Sequence, residues 1–147
     1  MLSLKIQKTD PRAKLPVRGT SGSAGLDLHA LLDSPLTIPP GALVSVPTGI
    51  AVGLPSRETV GLVFARSGLA VKHGIALSNG VGVIDSDYTG EIRVGLCNQS
   101  QTAYELRPGE RIAQLVVVPI CLPEIVEVAC LDETERGSGG FGSTGRL

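Results

Sequence analysis

Val81-Gly82-Val83-Ile84-Asp85-Ser86-Asp87-Tyr88-Thr89-Gly90-Glu91-Ile92, residues 81–92, places an apolar run on each side of a polar turn. Val83 and Ile84 are β-branched strand formers, and Ile92, Val94 and Leu96 resume the alternation beyond it. Asp, Ser and Gly between them are turn residues. The stretch reads as a β-hairpin, with Asp85 where the first strand ends and Tyr88 across the turn. Two features exceed what a turn needs. An aspartate directly follows a Val-Ile pair, and an aromatic follows three residues later in a chain with four aromatics in all, Phe64, Tyr88, Tyr104 and Phe141. Gly80 and Gly82 leave the backbone bare, so a flat ligand can approach it. On these residues alone an ordinary polar hairpin tip fits equally well.

Working outward, short apolar runs recur between Pro and Gly punctuation. Leu2 to Lys8, Leu26 to Ala30, Leu36 to Ile38, Ala42 to Val46, Ile50 to Leu54, Val60 to Phe64 and Arg111 to Pro119 read as strands. Val94 to Cys97 and Ala103 to Leu106 read as a strand pair across Asn98-Gln99-Ser100-Gln101. Nineteen glycines and ten prolines in 147 residues exceed the usual combined ~12%. Strands of this length and spacing predict an all-β fold, a sandwich or barrel. With no Trp and few aromatics, the core has to be aliphatic. The length suits one domain that folds without staples.

Ala65 to Gly74 breaks the pattern and predicts one short helix, with Ser67 as N-cap, Lys72 and His73 in the last turn and Gly74 beyond it. A helix start beside the Ser67 hydroxyl and the Arg66 guanidinium suits a phosphate. It equally suits a capped connector carrying a surface arginine. Asp27 points away from the apolar side of its strand, as a solvent-facing residue also does. His29 reads as a surface residue. Asn79 offers a donor and an acceptor that can read a base edge, and Asn-Gly is also a common turn pair. Gln114, embedded in an apolar strand, needs partners and is either a structural hydrogen-bonder or a site group. Residues 135–147 are glycine-rich and read as a flexible arm after a β domain spanning 1–134. The arm carries Arg136, Phe141, Ser143 and Thr144 among glycines, and bare N–H groups in such a loop can wrap a phosphate.

A net charge of −1 gives no broad basic field for nucleic acid or a membrane surface. Cys97, Cys121 and Cys130 lack CxxC spacing and read as small core hydrophobes in a reducing compartment. The first residues show no signal-peptide core. The longest apolar run, Leu115 to Leu122, is broken by Pro119 and is too short to span a bilayer. The cytoplasm is the expected location.

Five segments stand together: Ala24-Gly25-Leu26-Asp27-Leu28, Arg66-Ser67-Gly68-Leu69-Ala70, Asn79 through Gly90, Pro108 through Gln114, and Arg136 through Gly145. In this order and spacing they resemble the five motifs of the homotrimeric dUTP pyrophosphatase (dUTPase) family, over nearly the whole chain. The resemblance implies a distorted jelly-roll, a threefold trimer with active sites shared between subunits, and Mg2+-assisted hydrolysis of dUTP to dUMP and pyrophosphate. That reaction limits uracil in DNA and supplies dUMP for thymidylate synthesis. By resemblance, Asp85 is the general base for in-line attack of water on the α-phosphorus. Asp27 supports the Mg-triphosphate through water, the metal being held mainly by the substrate. Ser67 and Gly68 lie near the α–β bridging oxygen, and Arg66 and Gln114 hold phosphate. Asn79 and the backbone around Val83 read uracil, and Tyr88 packs under deoxyribose and excludes a 2′-hydroxyl. Arg136 grips the γ-phosphate, Phe141 covers the base, and Gly140, Gly142, Ser143 and Thr144 close over the phosphates. Aspartate, with an ordinary pKa of ~3.9, can accept a proton from water at neutral pH.

Three rivals follow from the same pattern. The dCTP deaminases of the same superfamily carry a catalytic glutamate in the strand after the hairpin, where this chain reads Arg93-Val94-Gly95-Leu96. A catalytically idle nucleotide-binding module would not need Asp85, Ser67 and Gln114 together. A plain structural jelly-roll would not need the Arg-Gly-Phe arm.

Overall fold

The computed structural model describes residues 3–140. Eleven strands and one helix follow the Pro/Gly punctuation. In order they are β1 Lys5–Lys8, β2 Leu26–His29, β3 Leu36–Ile38, β4 Leu43–Pro47, β5 Ile50–Gly53, β6 Thr59–Phe64, α1 Ser67–His73, β7 Ile75–Leu77, β8 Gly82–Ile84, β9 Arg93–Asn98, β10 Tyr104–Leu106 and β11 Arg111–Pro119. The strands form four antiparallel ladders: β1-β5, β10-β3, β2-β11-β6-β8 and β4-β9-β7. All four send side chains into one apolar cluster, among them Val52, Ile38, Leu115 and Leu96. The buried core is aliphatic, as the composition requires, with Tyr104 packed at its margin. This is the expected all-β jelly-roll with one short helix.

Two expected pairings are wrong, for one reason. Strand β9 is the middle of its sheet, with β4 on one edge and β7 on the other. It has no edge left for β8 or β10. The stretch 81–92 is therefore not a ladder-paired hairpin. Strand β8 crosses to the other sheet and pairs with β6, placing Ile84 opposite Gly61. Likewise β10 pairs with β3, Tyr104 opposite Ile38. Asn98 directs that second crossing. It is 1% exposed, and its amide donates to the Ile38 and Thr102 carbonyls, both at 2.8 Å. Its Oδ1 accepts from Ser100 N and Oγ at 2.9 and 2.8 Å. A buried amide with every group satisfied fixes its loop, and this one ties the 98–102 turn to β3.

The helix begins one residue earlier than an N-cap at Ser67 implies. Arg66 holds the N-cap position with extended backbone and no side-chain cap, so Ser67 is the first helical residue. The backbone at Arg66 still continues β6, and its side chain is committed elsewhere. Gly74 closes the helix at φ 69°, its N–H bonded to the Ala70 and Leu69 carbonyls, a left-handed position that favours glycine.

Two further expectations need correction. Cys97 is buried, but Cys121 and Cys130 are exposed on the extended segment after β11, so only Cys97 is a core residue. His29 is partly buried, and its Nδ1 is enclosed without a partner. Burial is the main cause that holds its pKa below the usual histidine value, and Lys14 adds to it.

Candidate active site

The sheet β2-β11-β6-β8 builds two separate clusters of chemistry, one toward each edge. The first forms where β2, β11 and β6 meet. Asp27 stands opposite Gln114, and Gln114 stands opposite Phe64, the last residue of β6. The chain then turns through Ala65 and Arg66 into α1. Arg66 Nε donates to Asp27 Oδ1 at 2.9 Å, and Arg111 Nη1 donates to Asp27 Oδ2 at 3.1 Å. Each carboxylate oxygen is taken by one guanidinium, and the carboxylate side chain is only 14% exposed. Charge-assisted bonds of this kind fix orientation as well as charge, so Asp27 holds two arginines at set positions. Gln114 Nε2 donates to the Ala65 carbonyl at 3.0 Å, which answers the need of its amide. Its Oε1 lies against Gly25, where a Cβ would stand only 2.5 Å away. These residues, with Ser67, Gly68 and the Gly19–Gly25 loop, line a polar cleft of about 230 Å3. Arg18 Nη1 ties that loop down through the Ala24 carbonyl at 2.7 Å. The cleft offers two fixed cations, a hydroxyl and an amide, a donor set that suits a polyanion.

The second cluster follows from the crossing of β8 away from β9. The two strands diverge into different sheets and leave a cleft of about 160 Å3 between them. It is lined by Asn79, Gly82, Val83, Ile84, Val94 and Gly95 among others. Its walls are apolar side chains and bare backbone, with the Asn79 amide at hand. This is the scale and character of a site for one small polar ring. Asp85 follows immediately beyond β8 and is exposed. It lines a neighbouring cavity with Ser86, Asp87 and Arg57. Tyr88 N donates to the Asp85 carbonyl at 3.2 Å, closing the turn. The Tyr88 hydroxyl donates to the Glu91 carbonyl at 2.9 Å.

The sequence profile of the dUTPase family matches residues 11–145. The chain belongs to the dUTPase family. Among curated relatives, the deoxyuridine 5'-triphosphate nucleotidohydrolase of Desulfitobacterium hafniense is 52% identical over 149 residues, covering 99% of both chains. That of Burkholderia cenocepacia is 51% identical over 145 residues, covering 99% of this chain and 98% of the relative. Among solved structures, the Staphylococcus bacteriophage 80alpha dUTPase with dUPNHPP superposes with a TM-score of 0.88 at 28% identity, covering 99% of each chain.

Within this dUTPase chain the structure unites only part of the expected set. Asp27, Arg66, Ser67, Gly68 and Gln114 line one cleft. Asn79 and Val83 line the other, with Asp85 and Tyr88 in the turn beside it. The two groups do not meet. Asp27 and Asp85 belong to opposite edges of a four-stranded sheet, which is about 14 Å sideways at the usual strand spacing. Gly61, opposite Ile84, pairs with Val117, three residues along β11 from Gln114. With one more residue to Asp85, that adds about 13 Å along the strands, so about 20 Å separates the carboxylates. Arg136 is exposed, and its Nε donates to the Gly139 carbonyl at 3.0 Å. Gly140 is exposed, while Phe141, Gly142, Ser143 and Thr144 lie outside the described residues.

Arg111 is the residue that reading the sequence missed. Residues three apart on a regular strand face opposite ways, so Arg111 and Gln114 do not look like neighbours. A register shift between Arg111 and Ala113 supplies the extra residue. Such a bulge re-aims the chain, and both side chains reach the same cleft. The only sequence signal was its place inside the Pro108–Gln114 segment.

Proposed function

We propose that this chain hydrolyses dUTP to dUMP and pyrophosphate at sites completed by neighbouring copies in a homotrimer. The observation that carries the reading is the split of the chemistry. A ring-sized cleft with Asp85 stands at one sheet edge, and a cationic cleft with Arg66, Arg111 and Gln114 at the other. A general base must lie within hydrogen-bond reach of the water it activates, or one water beyond. Arg66 lies six residues along the β6-β8 ladder from Asp85, about 20 Å by strand rise, so Asp85 of one chain cannot serve a phosphate held by Arg66 of the same chain. A neighbouring copy that presents its Asp85 turn to this cationic cleft satisfies both requirements.

In this reading uracil enters between β8 and β9 and is read by Asn79 and the backbone around Val83, while Tyr88 supports deoxyribose. The triphosphate lies over Arg66, Ser67, Gly68 and Gln114, with Arg111 held alongside by Asp27. Asp85 takes a proton from water as the water oxygen bonds to the α-phosphorus. The bond from that phosphorus to the α–β bridging oxygen breaks, and pyrophosphate leaves. The arm from residue 135, following a β domain that ends by residue 134, brings Arg136 to the γ-phosphate. It lays Phe141 over the base, and Gly140, Gly142, Ser143 and Thr144 over the phosphates. Its closure excludes water and aligns the chain for attack.

Magnesium fits this site only in part. No cluster of three metal-ligating side chains exists among the described residues, and Asp27 already carries two arginines. A Mg2+ that keeps its waters and binds mainly to substrate phosphates needs no protein cage. In this reading Asp27, whose oxygens keep accepting capacity beside the two arginines, would receive those waters. When bound, such an ion would supply neutralisation of the triphosphate and of the leaving pyrophosphate.

No helix among the described residues is long and apolar enough to cross a membrane, and the expected setting is the cytoplasm. Incubation with dUTP, dCTP and Mg2+ tests the reading. It expects dUMP and pyrophosphate from dUTP and no ammonia from dCTP. Ammonia release would move the chain to the deaminases, and inertness toward both would leave a binding module.

A further inference from the structure

We infer that Gly90 is a specificity-determining position, acting as the seat that holds the Tyr88 ring where it excludes a ribose 2′-hydroxyl. The inference rests on the dUTPase reading above and adds to it the residue that sets sugar selectivity from beneath the ring.

A Cβ built at Gly90 would stand 2.6 Å from the Tyr88 hydroxyl, 2.7 Å from Cζ and 3.0 Å from Cε2. The ring therefore rests directly on the Gly90 backbone. The backbone itself does not require glycine there, because Gly90 is not among the positive-φ glycines. The three atoms that a Cβ there would meet first all belong to the Tyr88 side chain. Tyr88 is 44% exposed, so core packing does not hold it. Two contacts do: the seat on Gly90 and the hydrogen bond from its hydroxyl to the Glu91 carbonyl at 2.9 Å. That carbonyl is in turn fixed. Glu91 Oε1 accepts from Gly49 N at 2.8 Å, and Ile92 N donates to the Ile50 carbonyl at 2.8 Å. Tyr88 is thus locked to the same backbone that anchors β9. Adding a methyl at residue 90 forces the ring up and outward. A rigid ring excludes one extra hydroxyl only while it stays in place, and a shift on the order of 1 Å at a positioned group is enough to matter.

The test is kcat/KM for dUTP and for UTP on four proteins: wild type, Gly90→Ala, Tyr88→Ala and the double variant. Gly90→Ala should lower the dUTP:UTP ratio about tenfold, with kcat for dUTP falling less than the ratio does. In the Tyr88→Ala background, adding Gly90→Ala should change the ratio no further, since sites that act through each other are not additive. An unchanged ratio in Gly90→Ala, or an equal drop in both backgrounds, overturns the seat. If Gly90→Ala fails to fold, the double variant carries the test: a fold restored by Tyr88→Ala shows that the ring is what the added methyl meets, and a double variant that fails as well overturns the proposal. A wild-type protein that does not hydrolyse dUTP defeats the parent reading. A selective wild type with an indifferent Gly90→Ala defeats only the seat.

Discussion

Two inactive variants should restore each other. Asp85→Asn removes the base from the turn after β8. Arg66→Gln removes a cation from the other cleft and leaves Asp27 with Arg111 as its partner. Each alone should lower kcat for dUTP by at least ~10²-fold. Arg66 follows β6, the strand paired with β8, but with Gly61 opposite Ile84 the ladder sets it six residues along from Asp85, about 20 Å by strand rise. One chain therefore cannot use both of its own groups on one α-phosphorus. In a trimer with shared sites, each site takes Asp85 from one copy and Arg66 from another. When the variants are refolded together in equal amounts, an intact Asp85 meets an intact Arg66 at about one site in four. The assay is pyrophosphate release by the mixed sample against each variant refolded alone. About a quarter of wild-type activity is expected, at least tenfold above either parent. Activity no greater than the mean of the two parents, from a sample shown to contain mixed trimers, would refute the shared site.

Further expectations concern the arm, the phosphate cleft and one surface ion pair. Ending the chain after Thr134 should keep the fold and the trimer, because the last strand ends at Pro119, and should cut kcat/KM for dUTP by orders of magnitude through lost positioning. Steady-state kinetics with light scattering on the truncated protein checks both halves. Gly25→Ala would put a Cβ 2.5 Å from Gln114 Oε1. The amide must swing away, and kcat/KM for dUTP should fall about tenfold if Gln114 holds phosphate; an unchanged value removes Gln114 from the site. Side-chain and backbone hydrogen bonds with Arg12 hold the half-buried Asp10 carboxyl down at about 2. A folded value below the unfolded one stabilises at higher pH, and that small contribution is lost as pH falls toward 2. In Arg12→Gln the carboxyl should titrate near the ordinary ~4, which carboxyl-carbon NMR measures directly.

The sequence by itself determined every strand but β7, the aliphatic core, the single short helix and the family. Pro and Gly interrupt every apolar run, aromatics are scarce, and five motif segments keep their order. These are properties of local chemistry and spacing, which a linear reading sees. It also singled out Asp27, Arg66, Gln114 and Asp85, which stand out against their neighbours, and the structure brings the first three into one cleft. Only the tertiary structure decided which strands pair. A strand has two edges, and β9 spends both on β4 and β7, so the apparent hairpin of residues 81–92 opens into a cleft instead of a ladder. The bulge that brings Arg111 beside Gln114 is likewise invisible in a string where period two sets them on opposite faces. The sheet order and register finally decided that Asp85 stands well apart from the cleft of Asp27, Arg66 and Arg111. That is a matter of distance between residues far apart in the chain, and no local pattern encodes it.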